Sequence, residues 1–247
     1  MDDPIRDRNR VAWNAGRYAA WVEAIGTPEA EARALVADPR HKVRRLAPYL
    51  GDVAGLRIVN VQGSHGRVAV ALALLGAEAS VIDFAEENRR YALELAAAAG
   101  VAIDYVLADS IEADRLGLAP FDWVVMELGI LHYHRDLARF FAVIAALAAP
   151  GGRLLLHEFH PVDRKLARAP AGLAPDYFRT DLVEGEVPNP VGDGRTLGTC
   201  AYRLWTLGEI VTAAIDAGWR IDRLDEHPGW PGEPGWPGTF TLVATRG

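Results

Sequence analysis

The spacing of apolar positions divides the chain into three stretches with different periods. In the first fifty residues, Trp13, Tyr18, Trp21, Val22 and Ile25 recur at helical spacing, and Gly26 stops the run. Thr27-Pro28-Glu29 reads as a cap followed by a proline in the first turn, opening a second helix directed toward Tyr49. From residue 57 onward, short apolar runs alternate with helical patterns. Residues 57–61, 79–82, 103–107, 121–127 and 153–159 read as strands; 67–75, 86–99 and 136–148 read as helices, the last ended by Pro150-Gly151-Gly152. Strand–helix alternation at these lengths argues for a parallel α/β sheet covered on both faces.

The last third loses that rhythm. Residues 161–205 carry Pro and Gly without a sustained period, which predicts an inserted loop or lid. Thr206-Leu207-Gly208-Glu209 is a capping-box pattern that opens a helix toward residue 217, ended by Gly218. Residues 219–226 and 239–245 then read as two strands. The stretch between them contains Pro-Gly-Trp-Pro-Gly twice and reads as a stiff loop. So short a connection cannot make a parallel crossover, so the sheet is expected to end in a hairpin.

Composition narrows the classes. The 247 residues, 50% hydrophobic and 24% charged, suit one large domain or one domain with an elaborated cap. A formal net charge of -7 disfavours a nucleic-acid partner. No apolar run approaches the roughly 20 residues needed to cross a bilayer, and residues 1–10 are charged, unlike a secretory signal. Cys200, the only cysteine, cannot form an internal disulfide and reads as a bystander. These features together predict a cytoplasmic protein without a membrane partner.

Candidate chemistry gathers at strand ends. Val59-Asn60-Val61-Gln62-Gly63-Ser64-His65-Gly66 runs from a strand through a glycine-containing turn into a helix, whose first N–H groups face whatever occupies the turn. Asp83 lies twenty residues after Gly63, directly after the second strand. A carboxylate there can accept from the hydroxyls of a ribose, or it can cap the helix opening near Glu86. Asp109-Ser110 follows the third strand in the same way, able to meet an adenine edge or to cap. Glu127 ends the fourth strand. Ligands in open α/β sheets sit outside the carboxyl ends of the strands, so Gly63, Asp83, Asp109 and Glu127 are expected to face one crevice.

With these residues in place, the stretch from about residue 55 to 160 resembles the core of class I S-adenosylmethionine-dependent methyltransferases. The resemblance rests on the turn at Gly63, on Asp83 and Asp109, on Phe121-Asp122-Trp123-Val124-Val125-Met126 and on Pro150-Gly151-Gly152 before a fifth strand. The terminal strand pair is similar to that family's reversed seventh strand. Aligned on the family's usual Asp-Leu-Gly-Cys-Gly-Thr-Gly turn, Asn60 stands in the acid's place, and Gln62 and Ser64 occupy glycine places.

The resemblance implies a Rossmann-like seven-stranded mixed sheet of order 3-2-1-4-5-7-6. Around it are expected an N-terminal helical cap over 1–50 and a core over 51–247 with a lid at 161–205. It implies S-adenosyl-L-methionine as cofactor, bound by Tyr18, Gly63, Ser64, Gly66, Asp83, Phe84, Asp109, Ser110 and Glu127. Tyr18 is expected to reach the cofactor's carboxylate from the cap, although it could equally belong to a Trp/Tyr stripe that packs the helix.

Histidines supply the acceptor side. His132 and His134 follow the fourth strand, and His157-Glu158-Phe159-His160 ends the fifth. The His-Glu-x-His spacing is not that of a helical metal motif, and no metal is expected. His132, His157 and His160 are the candidate proton acceptors, His157 or His160 first, since imidazole is suited to that work near neutral pH. Tyr177, Phe178, Trp205, Trp230 and Trp236 either wall a flat acceptor or form satellite cores beneath the loops. The predicted activity is methyl transfer to oxygen or nitrogen of a small-molecule acceptor. A nicotinamide-dependent oxidoreductase shares the turn and the acid twenty residues on. A non-catalytic nucleoside-binding module is the third reading.

Overall fold

The computed structural model describes residues 4–229 and 235–247, so Trp230 lies outside the described residues. Five helices come first: α1 (Pro4–Trp13), α2 (Arg17–Ile25), α3 (Pro28–Ala37), α4 (Pro39–Lys42) and α5 (Ala47–Leu50). The alternating region follows as β1 (Arg57–Val61), α6 (Arg67–Leu74), β2 (Glu78–Asp83), α7 (Glu86–Ala98), β3 (Asp104–Leu107), β4 (Phe121–Glu127), α8 (Leu137–Leu147) and β5 (Ala148–Phe159). Then come β6 (Leu182–Pro188), β7 (Thr196–Arg203), α9 (Leu207–Asp216), β8 (Trp219–Pro228) and β9 (Pro237–Arg246).

Seven strands form one sheet in the order β3-β2-β1-β4-β5-β9-β8. The β1–β2, β2–β3 and β4–β5 pairings are parallel, and β9 runs antiparallel to both β5 and β8. This is the predicted order, the last two strands being renumbered because residues 161–205 contribute β6 and β7, a separate two-stranded sheet.

Three local expectations are corrected. The first helical run is two helices, broken where Gly16 takes a left-handed conformation ahead of α2. The helix expected to reach Tyr49 stops at Ala37, because Pro39 disfavours helical backbone at Asp38; Asp38 instead caps α4, accepting from the His41 N–H at 3.1 Å. The lid is not patternless. Val183 and Val187 are buried on β6 while Glu184 and Glu186 are exposed, an alternation too short to stand out among the surrounding prolines and glycines. The capping box at Thr206 and Glu209 forms as predicted.

The chain separates into two compact units, residues up to 115 with 186–200, and residues 116–185 with 201–247. In the first, Val59, Val81 and Ile82 are fully buried on strands, and Tyr91 and Leu95 are fully buried on α7. In the second, Val124, Val125, Leu154, Leu155 and Leu156 meet the same fate, with Phe140, Phe141 and Trp219 among the largest buried side chains. Strands apolar along almost their whole length are what parallel sheets require when both faces are covered.

Candidate active site

The turn after β1 belongs to the first unit. A Cβ on Gly63 would lie 2.5 Å from Asn60 Oδ1 and 3.0 Å from the Asn60 carbonyl, so only glycine fits. Gly66 has φ +74°, and a side chain there would strike Ala92. Gln62 and Ser64, which replace family glycines, nevertheless keep the left-handed backbone, at φ 51° and 50°. That conformation costs a non-glycine residue about 1–2 kcal/mol, and several hydrogen bonds hold it. The Gln62 N–H donates to Ile82 O at 2.7 Å, and its Nε2 donates to Ser110 Oγ at 2.8 Å. The Ser64 N–H donates to Asp83 Oδ2 at 3.0 Å, and the Tyr105 hydroxyl donates to Ser64 O at 2.9 Å.

Asp83 is therefore part of the turn as well as a candidate ligand for ribose. Its Oδ1 accepts the Ala85 N–H at 2.9 Å, and Asn88 donates to it from α7. A carboxylate has about four lone-pair sites; these three donors leave about one for a ligand hydroxyl. It is not the side-chain cap of α7, whose N-cap is Ala85. Burial raises its pKa, while the amide donors, Asn88 and the Arg17 charge pull it down.

Arg17 is the residue that sequence reasoning missed in this unit. Its side chain is 1% exposed, with the guanidinium 3.9 Å from the Trp13 ring centroid and 5.6 Å from that of Trp21. An arginine flanked by tryptophans four residues before and after was the available signal, although the break at Gly16 places Trp13 on α1 and Trp21 on α2. Its neighbour Tyr18 is turned elsewhere. The Tyr18 hydroxyl donates to Glu94 on α7, which raises its pKa, and Arg90 lies over its ring. Ser110 is buried, Phe84 half-buried. Asp109 is engaged by α1: Arg6 Nε and Nη2 donate to its Oδ2 at 3.0 and 2.7 Å.

The second unit carries the histidines. Glu127, at the end of β4, is half-buried and sits in register with His157 on β5. Beyond it Leu128 has φ 49°, and the turn is organised by Glu158, a residue that sequence reasoning did not assign. Its carboxylate accepts the N–H groups of Gly129, Ile130 and Leu131 at 2.7, 2.8 and 3.2 Å, and its own chain neighbour Phe159 at 2.7 Å. His157 and Phe159 share one strand face and Glu158 takes the other, as alternation demands.

The three candidate histidines differ. His157 is 2% exposed, and its Nδ1 meets Thr241 Oγ1 at 2.9 Å; the same hydroxyl meets His227 Nε2 at 2.8 Å. His160 Nδ1 accepts the Val162 N–H at 3.0 Å, which leaves the ring proton on Nε2, 2.7 Å from Glu226. Burial lowers its pKa against the pull of Glu226. His132 packs on Tyr133 and Tyr202, with centroids 4.2 and 5.5 Å away, and burial with the Arg164 charge pushes its pKa down to about 3. His134 stacks on Phe140 at 3.6 Å as a core residue. Of the lid aromatics, Trp205 is buried and donates to Leu131 O and His134 O, each at 3.2 Å, whereas Phe178 and Trp236 are exposed.

The chain is similar to known proteins in sequence and fold. A methyltransferase-domain family model matches residues 58–152. The ubiquinone biosynthesis O-methyltransferase of Methylocella silvestris is 34% identical over 187 residues, 72% of this chain and 69% of that protein. The enzyme of the same name from Caulobacter sp. strain K31 is 30% identical over 118 residues, 48% of this chain; the chain thus spans 46% of that relative. The crystal structure of an S-adenosylmethionine-dependent methyltransferase from Mesorhizobium loti superposes with a TM-score of 0.62 at 25% identity, over 86% of this chain and 100% of that one. By its turn at Gly63, its strand order and this extended similarity, the chain belongs to the S-adenosylmethionine-dependent methyltransferases.

Proposed function

We propose that this protein transfers the methyl group of S-adenosyl-L-methionine to an oxygen of a small-molecule acceptor in the cytoplasm. The observation that carries the reading is the β1 turn, where a glycine with no room for a Cβ is stitched to a buried Asp83 whose carboxylate feels the charge of the equally buried Arg17. A nucleoside with an anionic tail matches that set. Gly63, Ser64 and Gly66 would admit it, Asp83 would accept a ribose hydroxyl, and Asp109, Ser110 and Phe84 would border its base. We assign the tail's carboxylate to Arg17 rather than Tyr18, because the Tyr18 hydroxyl is already donated to Glu94. Glu127 completes the strand-end set. Residues 1–50 act as a cap and 161–205 as a lid in this reading. Among the described residues no helix is long and apolar enough to cross a membrane.

When bound, the cofactor supplies an electrophilic methyl group whose sulfur leaves with the bonding pair, a displacement helped chiefly by positioning. The protein's part is to orient an acceptor hydroxyl and take its proton. His132 is kept neutral by its lowered pKa and can accept a hydrogen bond. His157 is oriented through Nδ1 by Thr241. His160, whose Nδ1 accepts the Val162 N–H and whose Nε2 lies 2.7 Å from Glu226, we assign to tying the end of β5 in place. The choice of oxygen rests on the relatives named O-methyltransferases. Calorimetry with S-adenosylmethionine, S-adenosylhomocysteine and NAD tests the cofactor. Heat with both sulfur ligands and none with NAD is expected; no heat with either sulfur ligand overturns the reading.

A further inference from the structure

The segment after β5 carries four charged residues in a row of six, and three have polar partners for their side chains within the fold. Over the wide helical turn Asp163–Ala167, Asp163 pairs with Arg168. Lys165, 2% exposed, donates from Nζ to Arg179 O at 2.6 Å and Leu204 O at 2.8 Å. Arg164 differs. Its guanidinium lies 5.3 Å from the Phe159 ring centroid, and its buried Nε meets no hydrogen-bond partner among the described residues. Its charge is felt at His132.

The residues around this cation are aromatic and half-buried. Phe159 Cε2 and His132 Cε1 come within 3.8 and 3.7 Å of where a Cβ on Gly129 would stand, so both rings border the turn after β4. Phe159, His132, Tyr133 and Arg164 are all half-buried. A guanidinium drawn partly out of water beside aromatic rings, with no carboxylate paired to it among the described residues, gains from a ligand that supplies the anion. Its planar fork matches a carboxylate through two parallel hydrogen bonds.

We infer that the methyl acceptor is an aromatic carboxylate, its carboxylate paired with Arg164 and its ring against Phe159 and His132. This rests on the methyl-transfer reading and names the substrate class for it. Arg164 then acts as a specificity residue: it selects acids over their neutral analogues. Pairing also cancels one of the two main influences that depress His132, so the bound acid makes that imidazole a better proton acceptor.

The test uses benzoate, benzamide and phenyl phosphate as probes, titrated by calorimetry into the full chain saturated with S-adenosylhomocysteine. Benzoate is expected to bind at least tenfold more tightly than benzamide. R164Q should abolish that preference without changing S-adenosylhomocysteine affinity, and R164K should keep part of it. In NMR titrations the His132 imidazole should titrate at higher pH in R164Q and in the benzoate complex, a shift that mere packing by Arg164 would not produce. Equal binding of benzoate and benzamide, or no benzoate binding, overturns the inference. Phenyl phosphate bound tenfold more tightly than benzoate overturns the carboxylate in favour of a phosphate. The wild-type comparison decides the matter even where R164Q does not fold. Failure of S-adenosylhomocysteine to bind is a separate result, which strikes the cofactor reading instead.

Discussion

The turns after β1 and after β4 are built alike, yet they leave different chemistry behind. Each follows a parallel strand, each forces non-glycine residues into left-handed backbone, and each is held by a buried carboxylate from the end of a neighbouring strand. Asp83 on β2 takes two backbone amides and Asn88, and keeps about one lone-pair site. Glu158 on β5 takes four backbone amides and has about none left. The same interaction therefore leaves one carboxylate a brace with room for the ligand hydroxyl proposed above, and makes the other a brace alone. A count of donors around a buried acid separates the two roles where residue type cannot.

The sharpest way to break this comparison is to delete the second brace. E158A leaves four backbone N–H groups without their acceptor and should cost about 3–5 kcal/mol in denaturant unfolding. Retained stability would mean that the amides find other partners. The expected cofactor affinity of any folded E158A protein is unchanged, since that carboxylate has nothing left to offer a ligand.

A pH titration gives the next largest effect. The folded pKa of His132 lies near 3, below the usual imidazole value of about 6.5. As pH falls below about 6.5, the unfolded chain takes up a proton that the folded chain refuses, so stability fades toward pH 3. The slope approaches about 1.4 kcal/mol per pH unit. H132N should flatten it, recovering about 2 kcal/mol at pH 4 relative to wild type once partial exposure is allowed for. An unchanged acid limb would assign the loss to the other buried histidines, His65 among them.

D83N tests the first brace in its second role. It keeps the shape but turns one acceptor oxygen into a donor, so S-adenosylhomocysteine affinity should fall at least tenfold, about 1.4 kcal/mol. If stability falls while affinity holds, Asp83 is a brace only and the contrast with Glu158 disappears. The smallest effect belongs to S64G. Removing left-handed strain, set against the larger entropy of unfolded glycine, should stabilise the protein by about 0.5–1 kcal/mol in thermal unfolding. Destabilisation would show that the Ser64 hydroxyl, 3.3 Å from His65 Nδ1, does more than fill the place.

What could be read from the chain alone was local or periodic. Buried parallel strands announce themselves as apolar runs, so β1 to β5 and their helices were legible, as were the capping box at Thr206 and the terminal hairpin. Gly63 and Asp83 were legible because a strand-end turn and its acid keep a near-constant separation in this architecture. The long-range partners of the candidate site residues were not. Arg6 reaches Asp109 across 103 residues, His157 meets Thr241 across 84, and Glu158 reaches back 27 to 29 residues to a turn with no polar signature. No periodicity links such partners; they meet only because the fold brings them together in space. The same holds for Arg164, whose charged neighbours in sequence find polar partners while its own Nε meets none among the described residues. Patterning decides which strands form. The donors left at their ends are decided by packing, because an ionised group's partners depend on distance in space rather than on separation along the chain.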